Sequence, residues 1–442
     1  MNFTVSSSGP LKGRIQVPGD ARLTLTLMSL AMHMEERITV INPSGAHVVT
    51  ALGEFLERHG AVRERSDNGF SFTGVRLKGD VVIDDTLSDG ILHCIIAGAV
   101  FTSQSVRITG GVSSRARVVK LLVDILATCG LNDDNVAVDG DDCVITGAVF
   151  APSGPVKVES QWAFESVIAA SLAARSPVVI SYTSEVLPLS EKVMKALGFA
   201  IEPVEEVHDS QAELERRMAK ASGEKPREVR RFEWTGKPSD HIEIPGDMTL
   251  AAALAGCAVV TQRSDITIQG VVWDRERNGF FDSLRRMKAE IEIVTAKGRR
   301  LFDTADIQVR WSRIKGVHFS PGNAHTMGNE LLILAAVAAS AGGKTVIVDI
   351  PEVPVAGREA FKLLARGLEK LGVKVGDYTD GIVLRGRKEL KGGELDSGGR
   401  PDVACALAVA GFNAAGTTTI AGCDQNIYPV REFLSLIETL ST

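Results

Sequence analysis

The chain has 442 residues, which predicts two or three domains at about 100–200 residues per domain. Its 44% of hydrophobic and 24% of charged residues are typical of a globular protein with a sizeable core. The net charge of -6 and the isoelectric point near 5.9 argue against a general nucleic-acid binder, which needs a basic face. A small anionic substrate is compatible with these numbers, because a local cluster of Lys and Arg would be enough to bind it.

The cysteines and the apolar runs indicate the compartment. The six cysteines include no C-x-x-C pair, which is typical of reduced thiols in a reducing compartment. No His or Cys spacing of a metal site stands out. The N-terminus lacks the basic start and apolar stretch of a secretory signal. The longest apolar runs, residues 251–260 and 331–339, are shorter than the roughly 20 residues that span a bilayer. We therefore expect a soluble cytoplasmic protein.

An internal repeat is the clearest sign of how the chain is organised. The sequence I-Q-V-P-G-D at residues 15–20 returns as I-E-I-P-G-D at residues 242–247. Each copy is followed by a run with helical periodicity, residues 23–34 and 250–261. A short β-branched segment then predicts a strand in both copies.

The same alternation of helix and strand continues between and after the two copies. Further β-branched segments predict strands at residues 106–108, 178–180, 346–348 and 417–420. Second helices are predicted to stop at glycines, namely Gly60, Gly130, Gly198 and Gly372. We count six units that begin near residues 20, 84, 157, 247, 326 and 400. For the four units without the P-G-D motif, the alternative is that ordinary helix–strand alternation resembles a repeat by chance.

These units predict a mixed α/β protein of two domains with three β/α units each. One domain is discontinuous, formed by residues 1–18 and 243–442, and the other comprises residues 19–242. The chain would then cross between the domains twice. The stretch 205–231 is dense in Glu, Lys and Arg, and it predicts a solvated helix or insertion before the second P-G-D motif.

With these motifs the chain resembles the enolpyruvyl transferase family, most closely its EPSP synthase type, over nearly its whole length. The resemblance implies six units in two domains with an active-site cleft between them. It implies phosphoenolpyruvate and a phosphorylated hydroxy acid such as shikimate 3-phosphate as substrates, no cofactor, and a role in aromatic amino-acid biosynthesis. It also implies a monomer with no nucleic-acid or membrane partner.

Several charged residues of the family pattern are replaced. The family's P-G-D-K-S stretch holds phosphoenolpyruvate through its Lys, where this chain has Ala21 followed by Arg22. The Arg that contacts the phosphorylated substrate aligns with Thr26. The next family Arg, after a G-N-S-G-T segment that aligns with residues 86–90, falls at His93 or Cys94.

Other positions match, and the resemblance assigns them to substrate binding. Arg117, near Arg115, matches the Arg that binds phosphoenolpyruvate, although Val118 replaces the Pro after it. Ser160 and Gln161 match the family's S-S-Q segment. The substrate-binding candidates are therefore Arg22, Arg117, Ser160, Gln161, Arg358 and Arg400.

The acid and base groups match less well. The family's D-E-L segment becomes Asn329-Glu330, and Asn329 cannot serve as a base. The general-acid Glu falls near Gly357, next to Arg358 and Glu359, and the D-H-R segment becomes residues 400–402. The family's last Lys falls near residues 425–426. The catalytic candidates are Glu330, Glu359 and Asn329.

Each candidate also has a structural interpretation. Ser160 is favoured as the N-cap of the following helix over a ligand role. Glu330 would complement a helix dipole, and Asp20 and Asp247 would be N-caps. His93 is interpreted as a packed residue, and Arg117 as either an anion ligand or a surface residue.

Three functions stay open from the sequence. The first is a divergent enolpyruvyl transferase that joins phosphoenolpyruvate to a phosphorylated hydroxy acid. The second is an inactive homologue that binds a small anion, and the third is a transferase with a different acceptor. The loss of the Lys and the acid residues keeps all three in view, because a fold does not determine function.

Overall fold

The structure is a computed structural model, and it divides into two compact units. It describes residues 1–6, 9–83, 89–109, 112–183, 189–204, 227–273, 277–296, 301–319, 326–348, 357–379 and 381–441, without the side chains of 89–91, 112–117, 189–190 and 296. The discontinuous unit comprises Met1–Asp20 and Pro245–Thr442, and the continuous unit comprises Ala21–Ile244.

The chain starts in the discontinuous unit and then builds the whole continuous unit. The first two strands are β1 (Asn2–Ser6) and β2 (Lys12–Gln16). The helices of the continuous unit are α1 (Ala21–Ala31), α2 (His47–Arg58), α3 (Asp89–Val100), α4 (Val112–Leu126), α5 (Gln161–Ala174) and α6 (Leu189–Ala196). Its strands are β3 (Arg37–Ile41), β4 (Val62–Ser66), β5 (Gly69–Thr73), β6 (Asp80–Ile83), β7 (Ser105–Ile108), β8 (Val136–Asp139), β9 (Asp142–Thr146), β10 (Val156–Lys157), β11 (Val178–Thr183), β12 (Phe199–Pro203), β13 (Arg227–Trp234) and β14 (His241–Glu243).

The remaining elements belong to the discontinuous unit. Its helices are α7 (Met248–Val260), α8 (Gly279–Arg286), α9 (Glu330–Ala338), α10 (Gly357–Lys370), α11 (Pro401–Phe412) and α12 (Val430–Leu440). Its strands are β15 (Asp265–Val272), β16 (Glu290–Ala296), β17 (Thr304–Arg310), β18 (Lys344–Val348), β19 (Lys374–Asp377), β20 (Gly381–Arg385), β21 (Leu390–Lys391), β22 (Glu394–Asp396), β23 (Ala414–Ala415) and β24 (Thr417–Ala421).

One sheet topology recurs through both units. In the continuous unit the sheets run β14-β3-β5-β4, β6-β7-β9-β8 and β10-β11-β13-β12, each with one parallel pair followed by two antiparallel pairs. The sheet β2-β15-β17-β16 repeats this order in the discontinuous unit. In the sheet β18-β20-β19 an isolated parallel bridge from His318 to Val346 takes the place of the first strand.

The last repeat closes on the start of the chain. Strand β24 pairs in parallel with β22 and antiparallel with β1. Where the strands of a repeat follow each other along the chain, one helix lies between the first two strands and a second helix follows them, as α3 and α4 do on either side of β7. The predicted mixed α/β architecture of six repeated units, three in each unit, is confirmed.

The first helix of every repeat forms the core. Helices α1, α3 and α5 pack together in the continuous unit, and α7, α9 and α11 pack together in the discontinuous unit. Every residue of α9 is buried, because Leu, Ile, Val and Ala cover all its faces. The second helices bury only one stripe, as α2 does with Val49, Leu52 and Leu56. None of the described helices has the length and apolar character needed to cross a membrane.

Two local predictions can be compared with the backbone. The glycines that were predicted to end helices have a left-handed backbone conformation, with φ of 100° at Gly60 and 91° at Gly372. Other residues avoid this region. The prediction of a solvated helix or insertion over 205–231 is wrong at its end. Residues 227–231 begin strand β13, which pairs antiparallel with β11 and with β12 and buries Phe232 completely. Residues 205–226 lie outside the described part.

We predict that Gly74→Ala destabilises the continuous unit by about 1–3 kcal/mol, as overpacking generally does. A Cβ at this position would lie 2.2, 2.6 and 2.7 Å from the carbonyl oxygens of Ala31, Met34 and Met32. Urea unfolding measures the change. Gly154→Ala is the control, since a Cβ there meets nothing within 4 Å. Equal stability of the two variants would show that the backbone around Gly74 relaxes freely.

Candidate functional site

A buried polar group lies among the core helices of the continuous unit, and we call it the Glu165 cluster. It consists of Glu165 and Gln161 on α5, Thr26 on α1 and His93 on α3. Gln161 is the first residue of α5, and Glu165 follows it by four residues, so both lie on the same helix face. Three of the four side chains are less than 8% exposed: Thr26 at 7%, His93 at 3% and Glu165 at 4%.

The Glu165 carboxylate is the centre of this cluster. Its Oε1 accepts a hydrogen bond from Nε2 of Gln161 at 2.8 Å and a longer one from Oγ1 of Thr26 at 3.4 Å. Its Oε2 lies 3.4 Å from Nε2 of His93. A buried charge persists only when hydrogen bonds and neighbouring charges compensate its lost hydration. Glu165 therefore requires these partners.

The electrostatics keep Glu165 ionised. Burial acts to raise the pKa of its carboxyl, but the hydrogen bond from His93 and the positive charge of Arg22 outweigh burial and lower the pKa. Arg22 itself is exposed. Arg22 and Gln161, two predicted substrate-binding residues, are thus linked through a carboxylate that the sequence analysis did not identify.

His93 has one ring nitrogen in this cluster and one outside it. Its Nε2 faces Glu165, and its ring packs on Trp162 with 4.8 Å between centroids. Its Nδ1 is buried and has no hydrogen-bond partner in the described part of the chain. The interpretation of His93 as a packed residue agrees with its burial, but a packed histidine with an unpaired nitrogen is uncommon.

In the described part of the chain, His93, Cys94 and Glu165 form a group that could hold a metal ion. Their donor atoms lie within 4.8 Å of one another, and zinc accepts all three donor types. Burial and the charge of Glu165 raise the pKa of the Cys94 thiol well above its usual value. The Cys94 thiol is therefore protonated, and the contact between His93 and Glu165 lies beside it.

The two P-G-D motifs meet in the discontinuous unit. Gly19 and Gly246 form an antiparallel bridge. The backbone N–H of Asp20 donates to Pro245 O at 2.9 Å, and the N–H of Asp247 donates to Pro18 O at 2.9 Å. The exchange is reciprocal, so the two repeats bring their aspartates together.

These aspartates belong to a second polar group, which we call the carboxylate cluster: the buried Asp20, Asp247 and Glu330 with the half-buried Arg277 and Tyr428. Nη1 of Arg277 lies 3.1 Å from Oδ2 of Asp20, and its Nη2 lies 3.9 Å from Oε1 of Glu330. The Tyr428 hydroxyl donates to Oδ2 of Asp247. Oδ1 of Asp247 accepts from the backbone N–H of Leu250 at 2.9 Å, which confirms Asp247 as the N-cap of α7.

Three carboxyl groups around one guanidinium leave an excess of negative charge. Burial and the charge of Asp20 raise the pKa of Asp247 to about 7. Burial acts to lower the pKa of Arg277, but the carboxylates of Asp20, Glu330 and Asp247 outweigh it and raise the pKa. Near neutral pH the cluster consequently holds a proton on Asp247 in part of the molecules.

Glu330 and Asn329, two predicted catalytic residues, lie at the start of α9. Glu330 is 1% exposed. Its Oε1 accepts from Oγ1 of Thr249 at 2.6 Å, and its Oε2 accepts from the backbone N–H of Gly328 at 2.6 Å. Asn329 occupies the N-cap position without a side-chain cap bond, and its buried Oδ1 has no partner among the described residues. Glu330 therefore fixes the helix start, and Asn329 presents an unused acceptor.

The other predicted residues of the discontinuous unit have carboxyl or ammonium partners close by in the structure. Arg358 lies 2.5 Å from Asp377, and Arg400 binds Asp402 through two nitrogens at 3.1 and 2.6 Å. The Glu359 side chain is 75% exposed and lies 2.5 Å from Nζ of Lys362. The structure does not bring Glu359 to Glu330, and their catalytic roles stay predictions.

Among the remaining candidates, the structure describes the side chain of Ser160 but not those of the arginines. The side chain of Ser160 caps α5 by accepting from the Ala163 N–H at 3.2 Å, which confirms the capping interpretation. The side chains of Arg115 and Arg117 and the segment 86–88 lie outside the described residues. The anion-binding role of Arg117 stays a prediction.

Sequence reasoning missed Glu165, Arg277 and Tyr428. A glutamate within the apolar stretch 162–174 was a signal for a buried partner, because such residues are rarely buried unpaired. The repeated aspartates were likewise a signal for a cation nearby, although the sequence analysis interpreted them only as N-caps. Nothing in the sequence pointed to Tyr428, which follows Asp247 by 181 residues.

Comparison with known proteins identifies the family. The model of the family EPSP synthase (3-phosphoshikimate 1-carboxyvinyltransferase) matches residues 5–428 of this chain. The chain belongs to the EPSP synthase family. The resemblance seen in the motifs is confirmed, and the family match includes both units and both polar clusters.

Curated relatives of this EPSP synthase family chain carry the same description. The 3-phosphoshikimate 1-carboxyvinyltransferase of Desulforamulus reducens is 28% identical over 440 residues, covering 96% of each chain. That of Coxiella burnetii is 27% identical over 438 residues, covering 96% of this chain and 93% of the relative.

Solved structures show the same fold. EPSP synthase from Acinetobacter baumannii has a TM-score of 0.78 at 19% identity and covers 99% of this chain and 98% of its own. The enolpyruvyl transferase NikO from Streptomyces tendae has a TM-score of 0.70 at 15% identity, covering 99% and 96%.

We predict that Asp247→Asn makes the free energy of unfolding depend less on pH. The pKa of Asp247 is raised from 3.8 to about 7 in the folded chain, so the folded state binds more protons between these values. The free energy of unfolding then falls as pH rises through this window, and the loss is complete above pH ~7. Asparagine keeps an N-cap acceptor but cannot ionise.

The variant should therefore gain stability relative to the wild type by on the order of 2–4 kcal/mol between about pH 4.5 and pH 8. Urea unfolding at several pH values measures this difference. Asp282→Asn, at an exposed position of α8, is the control carboxylate. A difference between Asp247→Asn and wild type that is constant with pH would contradict the shared-charge explanation.

Proposed function

We propose that this protein is an enolpyruvyl transferase that joins phosphoenolpyruvate to shikimate 3-phosphate. The match of the family model to residues 5–428 carries the proposal. It is supported by relatives named 3-phosphoshikimate 1-carboxyvinyltransferase that match over 96% of the chain. We further propose a cytoplasmic monomer that serves aromatic amino-acid biosynthesis.

The reaction needs cations and proton-transfer groups. An acceptor hydroxyl adds to C2 of phosphoenolpyruvate, a proton adds to C3, and phosphate leaves from the tetrahedral intermediate. Both substrates are polyanions, which arginine binds best through paired hydrogen bonds. The proposed anion ligands are Arg22 and Arg117 in the continuous unit and Arg358 and Arg400 in the discontinuous unit.

Two of these arginines would exchange partners on binding. Arg358 and Arg400 already contact Asp377 and Asp402, so a phosphate or carboxylate of the substrate replaces or joins those carboxylates. Such an exchange weakens binding, because part of the interaction energy offsets the lost internal pair. Substrate affinity would then depend mostly on Arg22, Arg117 and Gln161.

The discontinuous unit supplies the carboxyl groups. Glu330 accepts hydrogen bonds from Thr249 and Gly328, and Asp247 holds a proton near neutral pH. Asn329 provides a hydrogen-bond acceptor but takes no proton. We propose that proton transfer in this chain uses groups other than the position occupied by Asn329.

Phosphate release on mixing the protein with phosphoenolpyruvate and shikimate 3-phosphate tests the proposal, with each substrate omitted in turn. Release that needs both substrates supports the transferase. A folded protein that releases no phosphate, yet is stabilised thermally by either ligand, would instead be a binding protein on the same scaffold. Release with another phosphorylated hydroxy acid only would assign a different acceptor.

We predict that Arg117→Ala abolishes the thermal stabilisation that phosphoenolpyruvate gives the wild type, since its guanidinium is the best-matched anion ligand. Differential scanning fluorimetry over a phosphoenolpyruvate titration measures the shift. Lys120→Ala is the control on the same helix, with a lysine side chain that is 74% exposed. A full ligand response in Arg117→Ala would remove Arg117 from the site.

A further inference from the structure

The pairing of His93 with Glu165 has the arrangement of a base and the residue that orients it. A carboxylate at one imidazole nitrogen fixes the ring and the tautomer, and the other nitrogen is then left with its lone pair. Here Glu165 lies 3.4 Å from Nε2 of His93, so Nε2 carries the hydrogen in the pair. This length is common before substrate binds, because catalytic hydrogen bonds tighten in the complex.

The opposite nitrogen is the unusual part of the arrangement. Nδ1 of His93 is buried and has no partner among the described residues, and the whole side chain is 3% exposed. Leaving a buried acceptor unpaired costs folding free energy. The packing of the ring on Trp162 and the bond to Glu165 hold this unpaired nitrogen in place.

The carboxylate is able to stabilise a positive imidazole ring. The pKa of Glu165 is lowered although the residue is buried, so its charge is present at neutral pH. A charge shielded from water interacts more strongly with an imidazolium than the same pair would in solvent. Gln161 and Thr26 hold the other carboxylate oxygen, which prevents Glu165 from turning away from the ring.

We propose that His93 is the general base that takes the proton of the acceptor hydroxyl, and that Glu165 is the residue that positions it. This inference rests on the proposed transferase function and gives that site a base at a place where the family has an arginine. Because Nδ1 is buried, the proposal requires the acceptor hydroxyl to displace the side chains that cover this nitrogen when the substrate binds.

The proposed step conserves protons and electrons. The acceptor O–H bond breaks, its proton passes to Nδ1, and the oxygen forms a bond to C2 of phosphoenolpyruvate. The C2=C3 electron pair takes a proton at C3 from a carboxylic acid of the enzyme. C3 then returns that proton to the carboxylate as the C2–O bond to phosphate breaks, and the imidazolium of His93 gives its proton to the departing phosphate.

A purely structural role makes different predictions. If His93 only fills space, replacing it would lower the stability of the protein. The effect of that substitution would then add to the effect of replacing Glu165. Replacing a base would lower kcat with little change in KM. Replacing Glu165 as well would then lower kcat no further, because the effects of substituting residues that act as a unit are not additive.

The experiment compares His93→Gln, Glu165→Gln and the double variant with the wild type in the two-substrate phosphate-release assay. We expect His93→Gln to lower kcat about 10²–10⁴-fold at nearly unchanged KM. Glu165→Gln should cause a smaller loss, and the double variant should be no slower than His93→Gln. His33→Gln is the control, because His33 is also fully buried with an unpaired Nδ1, but its Nε2 contacts only the Cys94 carbonyl oxygen, at 3.4 Å, among the described contacts.

A second variant keeps the test decisive if His93→Gln does not fold. His93→Ala leaves a cavity that added imidazole can fill, and recovery of kcat with imidazole supports the base role. An active wild type with unchanged kcat in His93→Gln, additive losses in the double variant, or no recovery with imidazole in a folded His93→Ala would each overturn the inference alone. An inactive wild type would overturn the proposed function and the inference with it.

Discussion

The two P-G-D motifs donate backbone hydrogen bonds to each other, and much of the discontinuous unit depends on this exchange. Asp20 N–H binds Pro245 O and Asp247 N–H binds Pro18 O, which fixes the start of α7 beside the bridge between Gly19 and Gly246. The same geometry brings two carboxyl groups together in a buried place. Burial and the charge of Asp20 together raise the pKa of Asp247 to about 7, and Arg277 compensates part of the negative charge through Asp20. A backbone constraint therefore sets the charge state of the cluster.

The fold was largely predictable because its signals are local. The repeated P-G-D motif, the β-branched segments and the glycine stops each depend on a few neighbouring residues, and they indicated six mixed α/β units. The error over residues 227–231 has the same origin, because a locally charged composition gives no sign of strand β13, which lies between β11 and β12 in its sheet. Tertiary pairing with β11 and β12 overrides the composition there.

The candidate site was less predictable, because its contacts join distant positions. Glu165 meets Thr26 and His93 across 139 and 72 residues, and no local pattern reports such distances. Motif matching located Gln161 and Glu330 but assigned no partner to either. It also left two roles open for Ser160, because an N-cap and a substrate ligand use the same hydroxyl. The structure shows that this hydroxyl caps α5. Local periodicity specifies the elements, and the packing of core helices determines which polar groups meet.

The two clusters use opposite means to keep charge inside a protein. The carboxylate cluster balances its excess negative charge with one arginine and a partly bound proton, so its state changes near neutral pH. The Glu165 cluster instead keeps its charge with three neutral or weakly basic donors and a distant guanidinium, so its carboxylate persists through the same range. A fixed carboxylate beside an imidazole favours proton acceptance by the ring. A shared proton among carboxyls favours proton donation. The chain thereby holds a carboxyl group that binds a proton and a carboxylate that stays ionised in separate environments, although residues at the family's proton-transfer positions are substituted.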